Sequence, residues 1–126
     1  METILNKIFG KTKKPAIGMI HIRHLPGSYN YDSKQGLQGI VDAAAKDIET
    51  YQNAGFDGLL FCNEADMPFS IGVEHITPAA MVAVIKDLKS VMKIPFGTDV
   101  IMDNKAAISV AAVTGGRFVR GIFTNA

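Results

Sequence analysis

The stretch IVDAAAKDIETYQNAGFDGLLFC, residues 40–62, decides the fold because it joins an amphipathic helix to a buried strand. Its apolar residues recur at helical spacing on one stripe, formed by Ile40, Ala44, Ile48 and Tyr51. Gly55 then supplies the stop that is common at the end of a helix. The run at 59–62 is short and continuously apolar, which is typical of a strand buried on both faces. A helix that leads directly into such a strand predicts a parallel β/α unit.

The same alternation continues on both sides of this stretch. Upstream, a short amphipathic helix over 4–9 precedes a strand over 15–21 and a polar loop over 28–38. Downstream, a loop over 63–76 leads to a helix that starts at Thr77-Pro78 and has an apolar face of Val82, Ile85, Leu88 and Met92. A strand over 94–100 follows. The last two predicted elements are a helix over 106–113, capped by Asp103 or Asn104 and closed by Gly115-Gly116, and a strand over 117–123. Strands and helices that alternate strictly predict about four parallel strands joined by right-handed crossovers.

Two architectures satisfy this alternation, an open doubly wound sheet and a barrel. The first strand-to-helix loop, residues 21–27 (HIRHLPG), lacks the Gly-x-Gly-x-x-Gly pattern of a dinucleotide-binding fold. The pattern alone therefore favours the barrel only slightly. A closed (β/α)₈ barrel needs roughly 200 residues or more, whereas the chain has 126. The length thus predicts an incomplete barrel.

Composition and charge narrow the class of protein. The chain is 48% hydrophobic and 20% charged, with a net charge of +1, which is typical of a globular domain without a basic nucleic-acid groove. Cys62 is the single cysteine, so the chain has no internal disulfide, and we interpret it as an inert buried thiol. No apolar run reaches the roughly 18 residues of a membrane span, and the N-terminus lacks a signal-peptide pattern. We therefore expect a cytoplasmic protein.

The working groups of β/α barrels lie at the carboxyl ends of the strands and in the loops just after them. By that rule, the candidate catalytic residues are His21, Glu64, Asp66 and Asp99. The candidate substrate-binding residues are Asn63, Asp103, Arg120 and Thr124. Several carboxylates and an imidazole suit general acid–base work on a polar substrate, or a divalent ion such as Mg²⁺ held through oxygen ligands. No His-x-His or Cys-x-x-Cys spacing indicates zinc.

Each candidate also has a structural interpretation. Asp99 interrupts an apolar strand and needs a partner there, so Arg120 either pairs with it or binds an anionic substrate. His21 either works in the site or is a hydrogen-bonded core histidine. Asp103 either binds substrate or caps a helix. Glu64 and Asp66 either act in the site or belong to a solvated turn.

Four blocks of the sequence resemble the BtpA/SgcQ family in order and spacing. They are KPAIGMIH (14–21) followed by LPGS (25–28), GFDG (55–58) running into FCNEADMPF (61–69), IPFGTDV (94–100), and GRFVRGIFT (116–124). The first two blocks together are the specific ones, and the Asn63-Glu64 pair looks closer to the SgcQ branch. The family pattern has another residue at Gly121 and a glycine at Asn125.

The resemblance implies a single β/α barrel about twice as long as this chain. Residues 1–10 would be a short N-terminal helix, and residues 15–126 would be the first four βα units. The usual barrel phosphate site, after strands seven and eight, would lie outside the chain. We therefore expect this chain alone to be inactive, and we expect it to pair with a second copy or a complementing C-terminal half, because strands at its two edges would stay open.

The resemblance also implies two functions from different classes. The SgcQ branch occurs in a sugar-uptake context, which suggests an enzyme of carbohydrate or phosphorylated-metabolite metabolism with a small-molecule substrate. The BtpA branch is linked to photosystem I biogenesis, which suggests a non-enzymatic assembly factor. Clustered acids in a concave rim would favour the enzyme, and a large exposed apolar patch away from the rim would favour the assembly factor.

Overall fold

The structure is a computed structural model that describes residues 1–10 and 14–124. Within these residues the chain forms, in order, α1 (Ile4–Phe9), β1 (Ile17–His21), α2 (Gly36–Asn53), β2 (Gly58–Cys62), α3 (Ile76–Leu88), β3 (Phe96–Asp99), α4 (Asn104–Thr114) and β4 (Phe118–Val119). The four strands are parallel and lie in the sheet in chain order, β1-β2-β3-β4. The predicted α/β class is confirmed: four parallel strands alternate with helices in the half-barrel arrangement of a partial (β/α)₈ barrel.

The helices α2, α3 and α4 pack side by side against one face of the sheet. On that face Gly18 leaves room for the ring of Tyr51 in α2, and Thr98 donates its hydroxyl to the carbonyl of Ala107 in α4 at 2.7 Å. A doubly wound sheet reverses its strand order and carries helices on both faces. Sequential strands with helices on a single face are instead the arrangement of a β/α barrel.

The hydrophobic core fills the layer between this helical shell and the sheet. Its largest fully buried side chains include Ile20, Ile48, Leu59, Phe61, Met81, Ile85, Leu88 and Val110. Side chains on a strand point alternately to its two faces. The opposite face of the sheet, here called the inner face, therefore carries the alternate set, which includes Met19, His21, Leu60, Cys62, Asp99 and Phe118.

The inner face is covered by α1 at the amino ends of the strands. Phe9 lies against Phe118 with ring centroids 5.3 Å apart, and a Cβ at Gly58 would fall 2.6 Å from the Phe9 ring. Arg117 also donates to the carbonyl of Lys7 at 3.3 Å. The carboxyl ends of the strands are therefore the accessible end of the inner face.

Both predicted boundaries of the second long helix, α3, are wrong. The helix begins at Ile76 rather than at Thr77-Pro78, and His75 precedes it without a side-chain capping bond. Proline is accepted inside the first turn because the amide that it lacks would have no partner within the helix. The helix ends at Leu88, so Met92 packs against the core from the following turn rather than from the helix.

The predicted fourth strand over 117–123 is also wrong in length, since only Phe118–Val119 pair with β3. Because β3 ends at Asp99 and the chain turns there, residues 121–123 have no neighbouring strand to pair with. The strands predicted over 15–21 and 94–100 are shorter by one or two residues at their ends, which is the usual uncertainty of such boundaries. Among the described residues, no helix is long and apolar enough to span a bilayer.

Candidate functional site

Four side chains form a row across the inner face at the carboxyl ends of the strands. The sheet register pairs His21 with Cys62 and Cys62 with Asp99. Arg120, directly after β4, continues the row, because its Nε lies 2.7 Å from Asp99 Oδ2. Neighbouring strands are about 4.8 Å apart, so the row is about 14 Å long. We call His21, Cys62, Asp99 and Arg120 the rim row.

The ion pair in the rim row joins a buried carboxylate to a half-exposed guanidinium. The side chain of Asp99 is 8% exposed and that of Arg120 is 52% exposed. Hydrogen bonding to Asp99 raises the pKa of Arg120, so its positive charge is fixed. Burial of Asp99 without a partner would be costly, and the expectation that it needs one is met by Arg120. The pair uses only one of the five guanidinium N–H groups.

The thiol of Cys62 lies between carboxylates. Its Sγ is 3.7 Å from Glu64 Oε2 and 3.8 Å from Asp99 Oδ2. Burial, reinforced by the charge of Asp99, raises the pKa of Cys62 to about 12. The group is therefore a neutral thiol whose single S–H can donate to one of the two carboxylates at a time, and a thiolate nucleophile is not expected at neutral pH.

His21 is exposed, so its interpretation as a buried core histidine is wrong. Its neighbours Ile20 and Ile22 are buried on the helix side, and the strand pleat turns His21 the other way. The residue also borders a groove of about 360 Å³ between the open side of β1 and α2. Its imidazole is accessible to solvent at the carboxyl end of β1.

Two predicted site residues connect the loops at the rim through backbone amides. Asn63 is buried, and its Oδ1 accepts a hydrogen bond from the amide of Ile101 at 2.8 Å. Asp66 Oδ1 accepts from the amide of Leu25 at 2.9 Å. Burial raises the pKa of Asp66, although the Leu25 amide opposes this shift. These side chains hold three loops together and give the rim a fixed shape.

Asp103 has a similar structural role. It is the N-cap of α4, one of the two caps predicted, with Oδ1 accepting from the amide of Ala106 at 3.0 Å. Its Oδ2 accepts from the amide of Val73 at 3.0 Å, which fastens the loop after β2. These amides lower the pKa of Asp103. Both carboxylate oxygens are thus engaged by the protein itself.

The segment after β4 departs from its predicted position. Thr124 is exposed and lies beyond the paired residues Phe118–Val119, so its placement at a strand end is wrong. The side-chain Nδ2 of Asn104 donates to the Ile122 carbonyl at 2.6 Å, and a Cβ at Gly121 would overlap the Asn104 side chain. A glycine, which has no Cβ, therefore fits at position 121 beside the hydrogen bond between Asn104 and Ile122. Asn125, the other departure from the family pattern, lies outside the described residues.

The oxygen donors at the rim do not fit a Mg²⁺ site. Asp99 is neutralised by Arg120, and Asp103 uses both oxygens on amides. Within residues 1–10 and 14–124, no three His, Cys, Asp or Glu side chains come close enough to hold a metal ion. We derive no metal chemistry from these residues.

Comparison with known proteins gives one consistent family. The profile of the BtpA family matches residues 12–126. The putative sgc region protein SgcQ of Escherichia coli K12 is 39% identical over 97% of this chain and 45% of its own length. Uncharacterised proteins of Methanocaldococcus jannaschii and Thermococcus kodakarensis are 37% and 35% identical, each over 86% of this chain and 41% of its own length. The chain thus spans less than half the length of these relatives. No solved structure matches it.

Proposed function

We propose, from the premise that this chain belongs to the BtpA family, that it carries part of the active site of an enzyme of carbohydrate or phosphorylated-metabolite metabolism. The observation that supports this proposal is the rim row, which aligns an imidazole, a thiol, a carboxylate and a guanidinium at the working end of a β/α sheet. Such a row offers both proton-transfer groups and a fixed positive charge to a polar substrate.

In this proposal His21 and Glu64 exchange protons with the substrate. Both side chains are exposed, and Glu64 accepts a hydrogen bond from Cys62, next to His21 in the sheet register. Asp99 holds Arg120 in position. Asn63, Asp66 and Asp103 position the loops around the substrate through their backbone contacts.

The alternative, a non-enzymatic assembly factor, would be favoured by a large exposed apolar patch away from the rim. The exposed apolar residues near β4 and α4 include Ile108, Val113, Ile122 and Phe123. Ile122 and Phe123 follow β4, the edge strand beside which a fifth βα unit packs in a complete barrel. Barrel closure therefore accounts for these two residues without an assembly partner. We place the protein in the cytoplasm as part of the enzyme proposal.

The test is calorimetric binding of a panel of sugars and sugar phosphates to the 126-residue chain and to His21→Gln, Glu64→Gln and His24→Gln. His24 is the matched control, because it contacts Ser28 in a loop at 3.3 Å and is not part of the rim row. We expect a ligand whose binding weakens at least tenfold in the first two variants and is unchanged in the third.

Turnover is measured on the same panel. We expect none from this chain alone, because the loops of the second half of a barrel also line its active site. A ligand affinity that is unchanged in the His21 and Glu64 variants would contradict the proposed site. Robust metal-dependent turnover by the chain alone would contradict its dependence on further βα units.

A further inference from the structure

We infer that Arg120 binds an oxyanion, so that the substrate's phosphate or carboxylate group lies at the β4 end of the rim row. This inference rests on the proposed function and specifies its substrate class. The three guanidinium nitrogens of Arg120 have partners of unequal strength. Nε donates to Asp99 at 2.7 Å, whereas Nη1 and Nη2 have sulfur acceptors, Met19 Sδ at 4.0 Å and Cys62 Sγ at 3.7 Å.

Sulfur is a weak hydrogen-bond acceptor, so these two contacts leave the terminal N–H groups poorly satisfied. The same groups belong to a side chain that is 52% exposed. Phosphate and carboxylate oxygens bind a guanidinium edge through two parallel, charge-assisted bonds. An incoming oxyanion would therefore replace weak sulfur contacts and water with stronger partners.

Asp99 orders the Arg120 side chain without occupying the terminal N–H groups that would bind the anion. Its buried carboxylate holds the Nε side of the guanidinium and leaves the Nη edge directed over the inner face. Because the arginine is already ordered, less conformational entropy is lost when a ligand binds. The pair carries no net charge, so an anion at the other edge would be held by the hydrogen bonds of the terminal N–H groups.

A cavity of about 340 Å³ borders the ion pair at the β4 end of the rim row. It is lined by Asp99, Met102, Asn104, Arg120 and Gly121, among others. This volume falls in the range of small-molecule pockets, about 300–1,000 Å³. Gly121 contributes no side chain to the wall, and a larger residue would displace the Asn104 side chain.

The position of the anion sets the direction of the ligand. Glu64 is held near Cys62 in the middle of the row, and its negative charge disfavours an anion there. A ligand anchored at Arg120 would therefore extend along the row toward Cys62 and His21. Its uncharged end then meets the proposed proton-transfer groups.

The probe for this inference is radiolabelled inorganic phosphate, measured by equilibrium dialysis against the 126-residue chain. The variants are Arg120→Gln and the control Arg117→Gln, whose exposed side chain contacts Lys7 at the opposite end of the sheet. Because Arg120→Gln leaves Asp99 unpaired, the double variant Arg120→Gln/Asp99→Asn removes both charges, and circular dichroism checks its fold. We expect phosphate binding to fall at least tenfold in both Arg120 variants and to be unchanged in Arg117→Gln.

Competition distinguishes the two possible sources of the oxyanion. Glucose 6-phosphate and gluconate should displace the labelled phosphate, and glucose should not; whichever of the two displaces it at lower concentration identifies the preferred headgroup. No phosphate binding, equal loss in Arg117→Gln, or wild-type affinity in the folded double variant would overturn the inference. Phosphate binding that requires Arg120 while His21→Gln and Glu64→Gln change no ligand's affinity would leave this subsite standing and defeat the proposed acid–base function.

Discussion

Two carboxylates at the rim show how the same residue type differs with its surroundings. Backbone amides of Ala106 and Val73 lower the pKa of Asp103, whereas burial raises the pKa of Asp66. A lowered native pKa means that the ionised form stabilises the fold, and a raised one means that the protonated form is favoured. The two residues should therefore affect stability with opposite dependence on pH.

Replacing Asp103 with alanine should lower the free energy of unfolding by about 1–2 kcal/mol at pH 7, the usual cost of losing a helix N-cap. Because the native pKa of Asp103 is lowered, its contribution is present above the ordinary aspartate range and is lost as the pH falls through the native pKa. Urea unfolding of both proteins at pH 7 and pH 3 measures this. A difference that stays constant or grows at pH 3 would contradict the assignment.

Replacing Asp66 with asparagine keeps an oxygen for the Leu25 amide and removes a partly buried charge. The native pKa of Asp66 is raised, so its favourable protonated form is present at low pH and is lost as the pH rises through the native value. We expect the variant to be at least as stable as the wild type at pH 7, with the two converging in acid. The same urea titrations provide the measurement, and a variant that is less stable only at neutral pH is the opposing result.

The strand-end rule selects three of the four rim-row residues, because parallel strands bring their carboxyl ends to one edge of the sheet. It selects His21, Asp99 and Arg120 by position, and the cost of burying Asp99 alone suggests Arg120 as its partner. It could not separate these from Asp66, whose amide partner Leu25 lies 41 residues away, or from Asp103, which accepts from Val73 30 residues away as well as capping α4. Those contacts depend on loop packing, which periodicity does not describe.

The sequence predicts an inert buried thiol at Cys62, and the raised pKa of Cys62 agrees with this prediction. Its place in the rim row was missed because only its reactivity was considered. The signal was present, since Cys62 ends its strand just as His21 and Asp99 end theirs. A neutral thiol can still donate its single S–H to one of the two carboxylates that flank it.

Among the secondary-structure elements, α1 is held chiefly by one aromatic contact. Phe9 packs on Phe118 and over Gly58, while Arg117 provides a weaker polar contact at 3.3 Å. A six-residue helix has little stability of its own, so tertiary packing must keep α1 in place. Its loss would uncover the inner face at the amino ends of the strands.

Phe9→Ala should therefore detach α1 and lower the free energy of unfolding by about 1–3 kcal/mol, less than a fully buried phenylalanine loses. Ile4→Ala is the control on the same helix, since Ile4 is 70% exposed. Hydrogen exchange should show faster exchange in α1 and near Phe118 for the Phe9 variant only. Equal effects of both substitutions would mean that α1 is not anchored through Phe9.

Element type was predictable where hydrophobic periodicity was strong, and element length was not. All four strands and the helices between them overlap the ranges that the sequence indicated, although α2 begins at Gly36, inside the predicted loop over 28–38. The errors at α3 and β4 have local causes. Proline occurs later in the first turn of a helix than the simple start rule assumes, and β4 can pair only as far as β3 extends.

For the molecule as a whole, the important feature is an open sheet whose two edge strands are β1 and β4. In the described residues β1 and β4 each pair on one side only. Ile122 and Phe123, just after β4, are 64% and 66% exposed. Unpaired strand edges beside apolar surface promote association with another chain.

We therefore expect the isolated 126-residue chain to self-associate or bind a complementing half-barrel, because either event covers both open edges. Light scattering coupled to size-exclusion chromatography should give a mass above that of the monomer of 13.6 kDa, and a hydrophobic dye should bind when the chain is diluted. Replacing both Ile122 and Phe123 with serine should reduce dye binding, since exposed apolar area is worth about 25 cal/mol per Å² on burial. Ile71→Ser is the control, because Ile71 is 88% exposed on a loop remote from β4 in sequence. A monomer that unfolds cooperatively and binds no dye would favour a self-sufficient open sheet, in which the edges of β1 and β4 need no partner.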